Sequence, residues 1–221
     1  MTPRFSLVLF DLDGTLVDTA GDIATALNAT LIEAGFPSLP TERVVGYVGN
    51  GATRLIERAL PAEMASTADV AALVRRFKSH YASHVCEQSR VYPGVAALLD
   101  ALAPRAPAAV LTNKPGDLAR SLLIALGIAA RFHHIIGDGD GFPRKPAPEA
   151  VHWLCQQHQV PPAGVLLVGD GIPDVQVARA ARCPVAAATW GYTARAALLA
   201  EAPTFVVDTP EAVGALLSGA G

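Results

Sequence analysis

Apolar residues in this chain follow two rhythms. Short runs, Leu7–Phe10, Ala108–Leu111, His134–Ile136, Val165–Val168, Val185–Ala188 and Phe205–Val207, predict buried strands. Between them, apolar positions return every third or fourth residue, as on one face of a helix. The helical stretches are Val95–Leu102, Asp117–Leu126, Pro148–His158, Asp174–Arg182, Ala194–Leu199 and Pro210–Leu217. Strand and helix in alternation predict an α/β fold, a parallel sheet with helices on both faces.

Residues 19–89 break that alternation. Asp18 or Thr19 can cap a helix running to Ala34, with Ile23, Leu27, Leu31 and Ala34 on one face and Gly35 as its stop. Thr41–Val45 and Ala52–Leu60 read as helices on either side of a glycine-rich turn, Gly46 to Gly51. Thr67–Val85 reads as another, with Val70, Leu73, Val74, Phe77 and Tyr81 facing inward. The stretch offers no obvious strand and is expected to be a helical insert.

The chemistry lies in the polar residues just past the strands. Asp11 and then Asp13 come after the first run; Thr112, Asn113 and Lys114 after the second; Asp170 and Asp174 after Val165–Val168. In parallel α/β sheets, active groups gather beyond the carboxyl ends of the strands. Carboxylates brought together there repel one another unless a cation, a proton or solvent relieves them. An ionised aspartate can attack phosphorus directly and form an acyl phosphate. Its obstacle is the like charge of the phosphate, which a bridging divalent cation removes. Oxygen-only ligands suit Mg²⁺, and Asp11 and Asp170 can supply them. Thr112 and Asn113 are uncharged donors for phosphoryl oxygens, and Lys145 is a cation for the developing charge. Asp13 can protonate the leaving oxygen and afterwards activate water.

Composition narrows the partners. A net charge of −3, a pI near 6.0 and no basic block beyond Arg75-Arg76-Phe77-Lys78 argue against nucleic acid. Leu122–Ala130, the longest plain apolar run, is too short for a membrane span, and Asp11 and Asp13 come too early for a signal peptide. Cys86, Cys155 and Cys183 are scattered and odd in number, which predicts a reducing, cytoplasmic setting. The expected partner is a small-molecule phosphate ester; the oligomeric state is not legible.

At these residues the sequence resembles the haloacid dehalogenase superfamily, specifically its phosphatases. The matching motifs are Asp11-Leu12-Asp13-Gly14-Thr15, Leu111-Thr112-Asn113-Lys114-Pro115, Arg144-Lys145-Pro146 with Pro148, and Val168-Gly169-Asp170-Gly171-Ile172-Pro173-Asp174, in the family's order. The resemblance implies Asp11 as nucleophile and Asp13 as general acid and base, with the Asp13 backbone carbonyl on Mg²⁺. It implies Thr112, Asn113 and Lys145 as phosphoryl binders, Asp170 as a metal ligand and Asp174 as support behind it. It also implies a Rossmann-like core at 1–18 and 90–221, and a mobile helical cap domain at 19–89. Gly171 departs from the family, where serine often follows the metal-binding aspartate.

Within the superfamily, Val48-Gly49-Asn50-Gly51-Ala52 with Leu55, Arg58-Ala59-Leu60, Tyr92-Pro93-Gly94-Val95 and Trp190-Gly191-Tyr192 are similar to phosphoglycolate phosphatases. That likeness implies 2-phosphoglycolate as substrate. Asn50, Arg54 and Lys114 are candidates for specificity, the last two as cations for a substrate carboxylate. The alternatives are another substrate, such as N-acetylmuramate 6-phosphate or another sugar phosphate, or a phosphomutase, a dehalogenase or a non-catalytic binding module. A dehalogenase has no leaving oxygen to protonate, so Asp13 speaks for phosphate chemistry.

Overall fold

Strand β1, Leu7–Phe10, is buried on both faces, as its uninterrupted apolar sequence requires of a central parallel strand. The computed structural model of the chain describes residues 4–61, 64 and 68–217. After β1 the chain forms β2 (Val17–Asp18), α1 (Ala20–Glu33), α2 (Thr41–Val45), α3 (Gly51–Ala59), α4 (Val70–Ser83) and β3 (Arg90–Val91). It continues through α5 (Val95–Leu102), β4 (Ala108–Pro115), α6 (Gly116–Ala125), β5 (His134–Asp138), α7 (Glu149–His158) and β6 (Val165–Gly169). The last elements are α8 (Ile172–Ala181), β7 (Val185–Ala188), α9 (Arg195–Ala200), β8 (Phe205–Val207) and α10 (Pro210–Leu217).

Six strands form one parallel sheet in the order β5-β4-β1-β6-β7-β8. Alternate residues of β1 feed opposite layers. Val8 and Phe10 pack with α5, α6 and α10; Leu7 and Leu9 pack with α7 and α8. Phe10 pairs with Val110 on one side and Val168 on the other. That register brings the chain after β1, β4 and β6 to one edge of the sheet.

Helices α1 to α4 have a hydrophobic cluster of their own. It joins Ile23, Leu27 and Leu31 of α1, Leu55 and Ile56 of α3, and Leu73, Phe77 and Tyr81 of α4. Leu118 of α6 packs into it from the sheet side. The buried Asp22 carboxylate closes the returning chain onto α1, accepting from the backbone N–H groups of Gln88 and Ser89 and from the Ser89 hydroxyl.

Three details differ from the sequence reading. β2 and β3 form a two-stranded antiparallel ribbon where the insert leaves and rejoins the core; two residues are too few to show a period. β4 continues four residues past Leu111, so Thr112, Asn113 and Lys114 are held in a strand, not a loop. Thr19 sits at the start of α1, but its hydroxyl makes no cap bond; the Asp18 carboxylate accepts from Ala20 N–H at 3.2 Å. The expected start of the fourth helix, Thr67, lies outside the described residues.

Candidate active site

Asp11 is the first residue beyond β1, and its N–H still donates to the Val168 carbonyl at 2.9 Å. Its carboxylate is therefore fixed at the sheet edge. The Lys145 ammonium lies 2.9 Å from Asp11 Oδ1 and 2.7 Å from Asp174 Oδ1, with only 2% of its side chain exposed. Burial alone would depress the Lys145 pKa; Asp11 and Asp174 outweigh it and hold the value above the usual lysine range. The other Asp174 oxygen accepts from Gly171 N–H at 2.9 Å, in the first turn of α8. Both oxygens of Asp174 thus have protein donors.

Asp170 completes the cluster. Its Oδ1 accepts from the Thr15 hydroxyl at 2.7 Å, and its Oδ2 from Tyr192 N–H at 2.8 Å. Gly14, at φ +85°, lies so close that a Cβ there would collide with the Asp170 carboxylate. Oxygens of Asp11, Asp170 and Asp174 lie within 4.8 Å of one another, all three residues buried. Burial foremost, then Asp11 and Asp174, pushes the Asp170 pKa up to about 8. Burial likewise raises Asp174 to about 7 against the pull of Lys145. Once ionised, three carboxylates facing one ammonium would carry two net negative charges, and the donors are all oxygen. That set fits a hard divalent cation.

Asp13 points to a different neighbourhood. Its Oδ1 accepts from the Thr19 hydroxyl at 2.8 Å and from the Lys114 ammonium at 3.0 Å. The Lys114 nitrogen also stands 4.1 Å from the centre of the Tyr81 ring on α4. Burial opposes the Lys114 charge, and Asp13 outweighs it, so its pKa is raised. The backbone N–H of Thr19 donates to the Tyr192 hydroxyl at 2.7 Å, and that hydroxyl donates to Asp18 Oδ1 at 2.9 Å. Tyr192 therefore joins Asp170, through its N–H, to the base of α1, through its phenol.

The remaining expected residues separate into those at the site and those away from it. Thr112 is buried, and its hydroxyl accepts from Lys114 N–H at 3.2 Å. Asn113 is at the site, but its side chain is not a free phosphoryl donor. Its two amide hydrogens go to the Gly49 and Lys145 carbonyls at 3.0 and 3.1 Å, and its oxygen accepts from Lys145 N–H at 2.8 Å. Asn113 instead ties the helical insert to the lysine loop. Arg54 lines neither cavity at Asp11; its guanidinium is exposed and pairs with Glu57 at 2.7 Å. That i, i+3 pair lies on the solvent face of α3.

Two cavities meet at Asp11 and Asp13. The inner one is walled by Ile23, Val48, Leu55 and Phe77, with Thr112 and Lys114 on its floor. The outer one is bordered by Asp170, Tyr192, Asn50 and Arg58. Tyr81, Thr19, Tyr192 and Arg58 had no role at the site assigned from sequence. Arg58 and Tyr192 fall in motifs that the sequence singled out, and that was the signal to be had; the contacts of Thr19 and Tyr81 arise only on folding.

A parallel sheet with a buried aspartate cluster at its carboxyl edge, closed over by helices, defines a capped α/β enzyme. The chain belongs to the haloacid dehalogenase-like hydrolase family, whose model matches residues 8–188. It is 36% identical over 216 residues to the phosphoglycolate phosphatase of Haemophilus influenzae strain 86-028NP, covering 94% of this chain and 96% of that one. It is 39% identical over 216 residues to a plasmid-borne phosphoglycolate phosphatase of Cupriavidus necator, covering 96% and 93%. Among solved structures, a predicted phosphoglycolate phosphatase from Haemophilus somnus 129PT superposes with a TM-score of 0.88 at 32% identity, over 95% of this chain and 96% of that one. A haloacid dehalogenase-like family hydrolase from Streptococcus pneumoniae gives 0.86 at 27% identity, over 96% and 98%.

Proposed function

We propose that the protein is a Mg²⁺-dependent phosphomonoesterase acting on 2-phosphoglycolate through an aspartyl-phosphate on Asp11. The observation that carries this reading is the buried grouping of Asp11, Asp170 and Asp174 around Lys145, with Asp13 alongside. Mg²⁺ would be held by Asp11, Asp170 and the Asp13 carbonyl, with Asp174 behind them, and would cancel charge between nucleophile and phosphate. An Asp11 oxygen attacks phosphorus while the bond to the ester oxygen breaks. Asp13 delivers a proton to that leaving oxygen, then takes one from the water that hydrolyses the acyl phosphate. The Thr112 hydroxyl and the Lys145 ammonium hold the phosphoryl oxygens. Asn113 contributes by fixing the Lys145 backbone.

The substrate assignment draws on the names of the relatives, phosphoglycolate phosphatases at 36–39% identity across nearly the whole chain. The aliphatic and aromatic walls of the inner cavity favour a short substrate over a sugar phosphate rich in hydroxyls. In this reading residues 1–18 and 90–221 are the catalytic core and 19–89 its cap. Three unpaired, dispersed thiols favour a cytoplasmic setting.

The test is phosphate release from 2-phosphoglycolate, sugar phosphates and an aryl phosphate, ranked by kcat/KM, with Mg²⁺ and with chelator. Asp11→Asn and chelator should each abolish turnover, and 2-phosphoglycolate should rank first. Absence of Mg²⁺-dependent release from every ester overturns the reading.

A further inference from the structure

Asp170 is held in part by a turn that brings no carboxylate or ammonium to the site. Strand β7 lies beside β6, with Ala187 paired to Gly169, so the turn after β7 arrives alongside Asp170. That turn is Trp190-Gly191-Tyr192. Tyr192 N–H donates to Asp170 Oδ2 at 2.8 Å. The Trp190 indole, packed against the core, donates its N–H to the Thr15 carbonyl at 3.1 Å. Thr15 meets Asp170 twice: its hydroxyl donates to Oδ1 at 2.7 Å and accepts from Asp170 N–H at 3.0 Å. These bonds link Trp190 through Thr15 and Asp170 to Tyr192. Gly191 closes the ring. A Cβ there would fall 2.3 Å from both Asp170 Cβ and Oδ2, and one on Gly14 would also fall 2.3 Å from Oδ2. Two backbone segments therefore close on one carboxylate, and each of its oxygens has one donor.

We propose that the Trp190-Gly191-Tyr192 turn is a positioning element for the metal: Trp190 fixes Thr15, Gly191 admits the Asp170 carboxylate, and the Tyr192 N–H sets its rotation. The proposal rests on Asp170 as a metal ligand, as the phosphatase reading has it. A carboxylate already held in its binding orientation loses less freedom when a cation arrives, so affinity depends on the hydrogen bonds behind it. Mg²⁺ makes that dependence steep, because it tolerates little departure from octahedral geometry. Neither Trp190 nor Gly191 carries a charge, so both act on affinity through geometry alone.

Metal affinity tests this apart from turnover. Free Mn²⁺ is counted by electron paramagnetic resonance, and Mg²⁺ is titrated in as competitor. Trp190→Phe keeps an aromatic ring in the core and loses the N–H; it should weaken Mg²⁺ binding about 3- to 10-fold. Gly191→Ala should weaken it about 10- to 100-fold. Thr189→Val is the control from the same turn. Its hydroxyl bonds the Val207 carbonyl and Asp208, on the β8 side, and its loss should leave Mg²⁺ affinity within about twofold of the wild type. If Gly191→Ala does not fold, Trp190→Phe against Thr189→Val reads the same difference. A Trp190→Phe protein with a lower Tm and wild-type Mg²⁺ affinity overturns the proposal, as does a Thr189→Val protein weakened as much as Trp190→Phe. A wild type that binds neither ion removes Asp170 as a ligand and this role with it. A wild type that binds Mg²⁺ and releases phosphate, with affinity unaltered in the variants, keeps the phosphatase reading and loses the positioning role. The expected affinity pattern without phosphate release from any ester does the reverse.

Discussion

The Lys145 ammonium stands 2.7 Å from Asp174 Oδ1, both side chains all but sealed from water. Because Asp11 shares that ammonium, one cation links the proposed nucleophile to the first turn of α8. Removing it leaves buried carboxylates without their protein countercharge, a change that costs roughly 3–5 kcal/mol in comparable pairs. Lys145→Met should lower kcat/KM by at least about 100-fold. It should also lower Tm more in chelator than in Mg²⁺, since a bound cation takes over part of the compensation. Steady-state kinetics and thermal melts read both; a loss below about threefold removes Lys145 from phosphoryl binding.

Asn113 offers a separate test. Asn113→Ala deletes the donor to the part-buried Gly49 carbonyl, and the acceptor of Lys145 N–H and donor to Lys145 C=O, leaving those two buried groups unpaired at about 1–3 kcal/mol each. If Asn113 positions Lys145, kcat falls by about 10- to 100-fold with a smaller change in KM. A rise in KM with kcat unchanged would instead return Asn113 to direct substrate binding.

Much of the fold and the aspartate cluster was legible because burial leaves a coarse mark on sequence. β1 and β6 are apolar throughout because both faces are covered, and Asp11 and Asp170 end those runs abruptly. The four motifs then named the family and the aspartate cluster. What stayed hidden depends on tertiary approach. Nothing around Tyr192 or Thr19 announces that the two would meet across 173 residues of chain. Asn113 reads as a phosphoryl donor because its residue type permits it; only the fold shows that Gly49 and Lys145 have claimed its amide. Arg54 is the opposite case: a charged residue near a glycine turn looks free to reach the site, and in this structure α3 turns it to solvent, paired with Glu57.

Tyr192 sits where the metal cluster meets the base of α1. Tyr192→Phe keeps the N–H bond to Asp170 and removes the phenol from Asp18 and the Thr19 N–H. The variant should lose about 1 kcal/mol of stability. Hydrogen exchange should quicken at the first turn of α1 while the strands of the core keep their protection. Turnover should drop, by no more than about tenfold, because Asp170 remains held. Exchange at α1 that matches the wild type would show that the phenol does not secure the base of the insert.

Removing the metal should steepen the fall of stability with pH. Without metal, Asp170 and Asp174 titrate near 8 and 7, raised chiefly by burial, whereas in the unfolded chain they ionise in the ordinary carboxylate range. Between those limits the folded state holds more protons than the unfolded one, so stability falls as pH rises. A divalent cation needs the ionised forms; its binding expels protons and tightens over the same interval. In chelator, Tm should therefore decline from about pH 5 to about pH 8. In excess Mg²⁺ the decline should flatten, so that the stabilisation by metal grows with pH and levels off above about 8. Calorimetry in buffers of different ionisation enthalpy should count the released protons. A metal-induced Tm shift of the same size at both ends of the range would mean that these carboxylates are not what the cation displaces protons from.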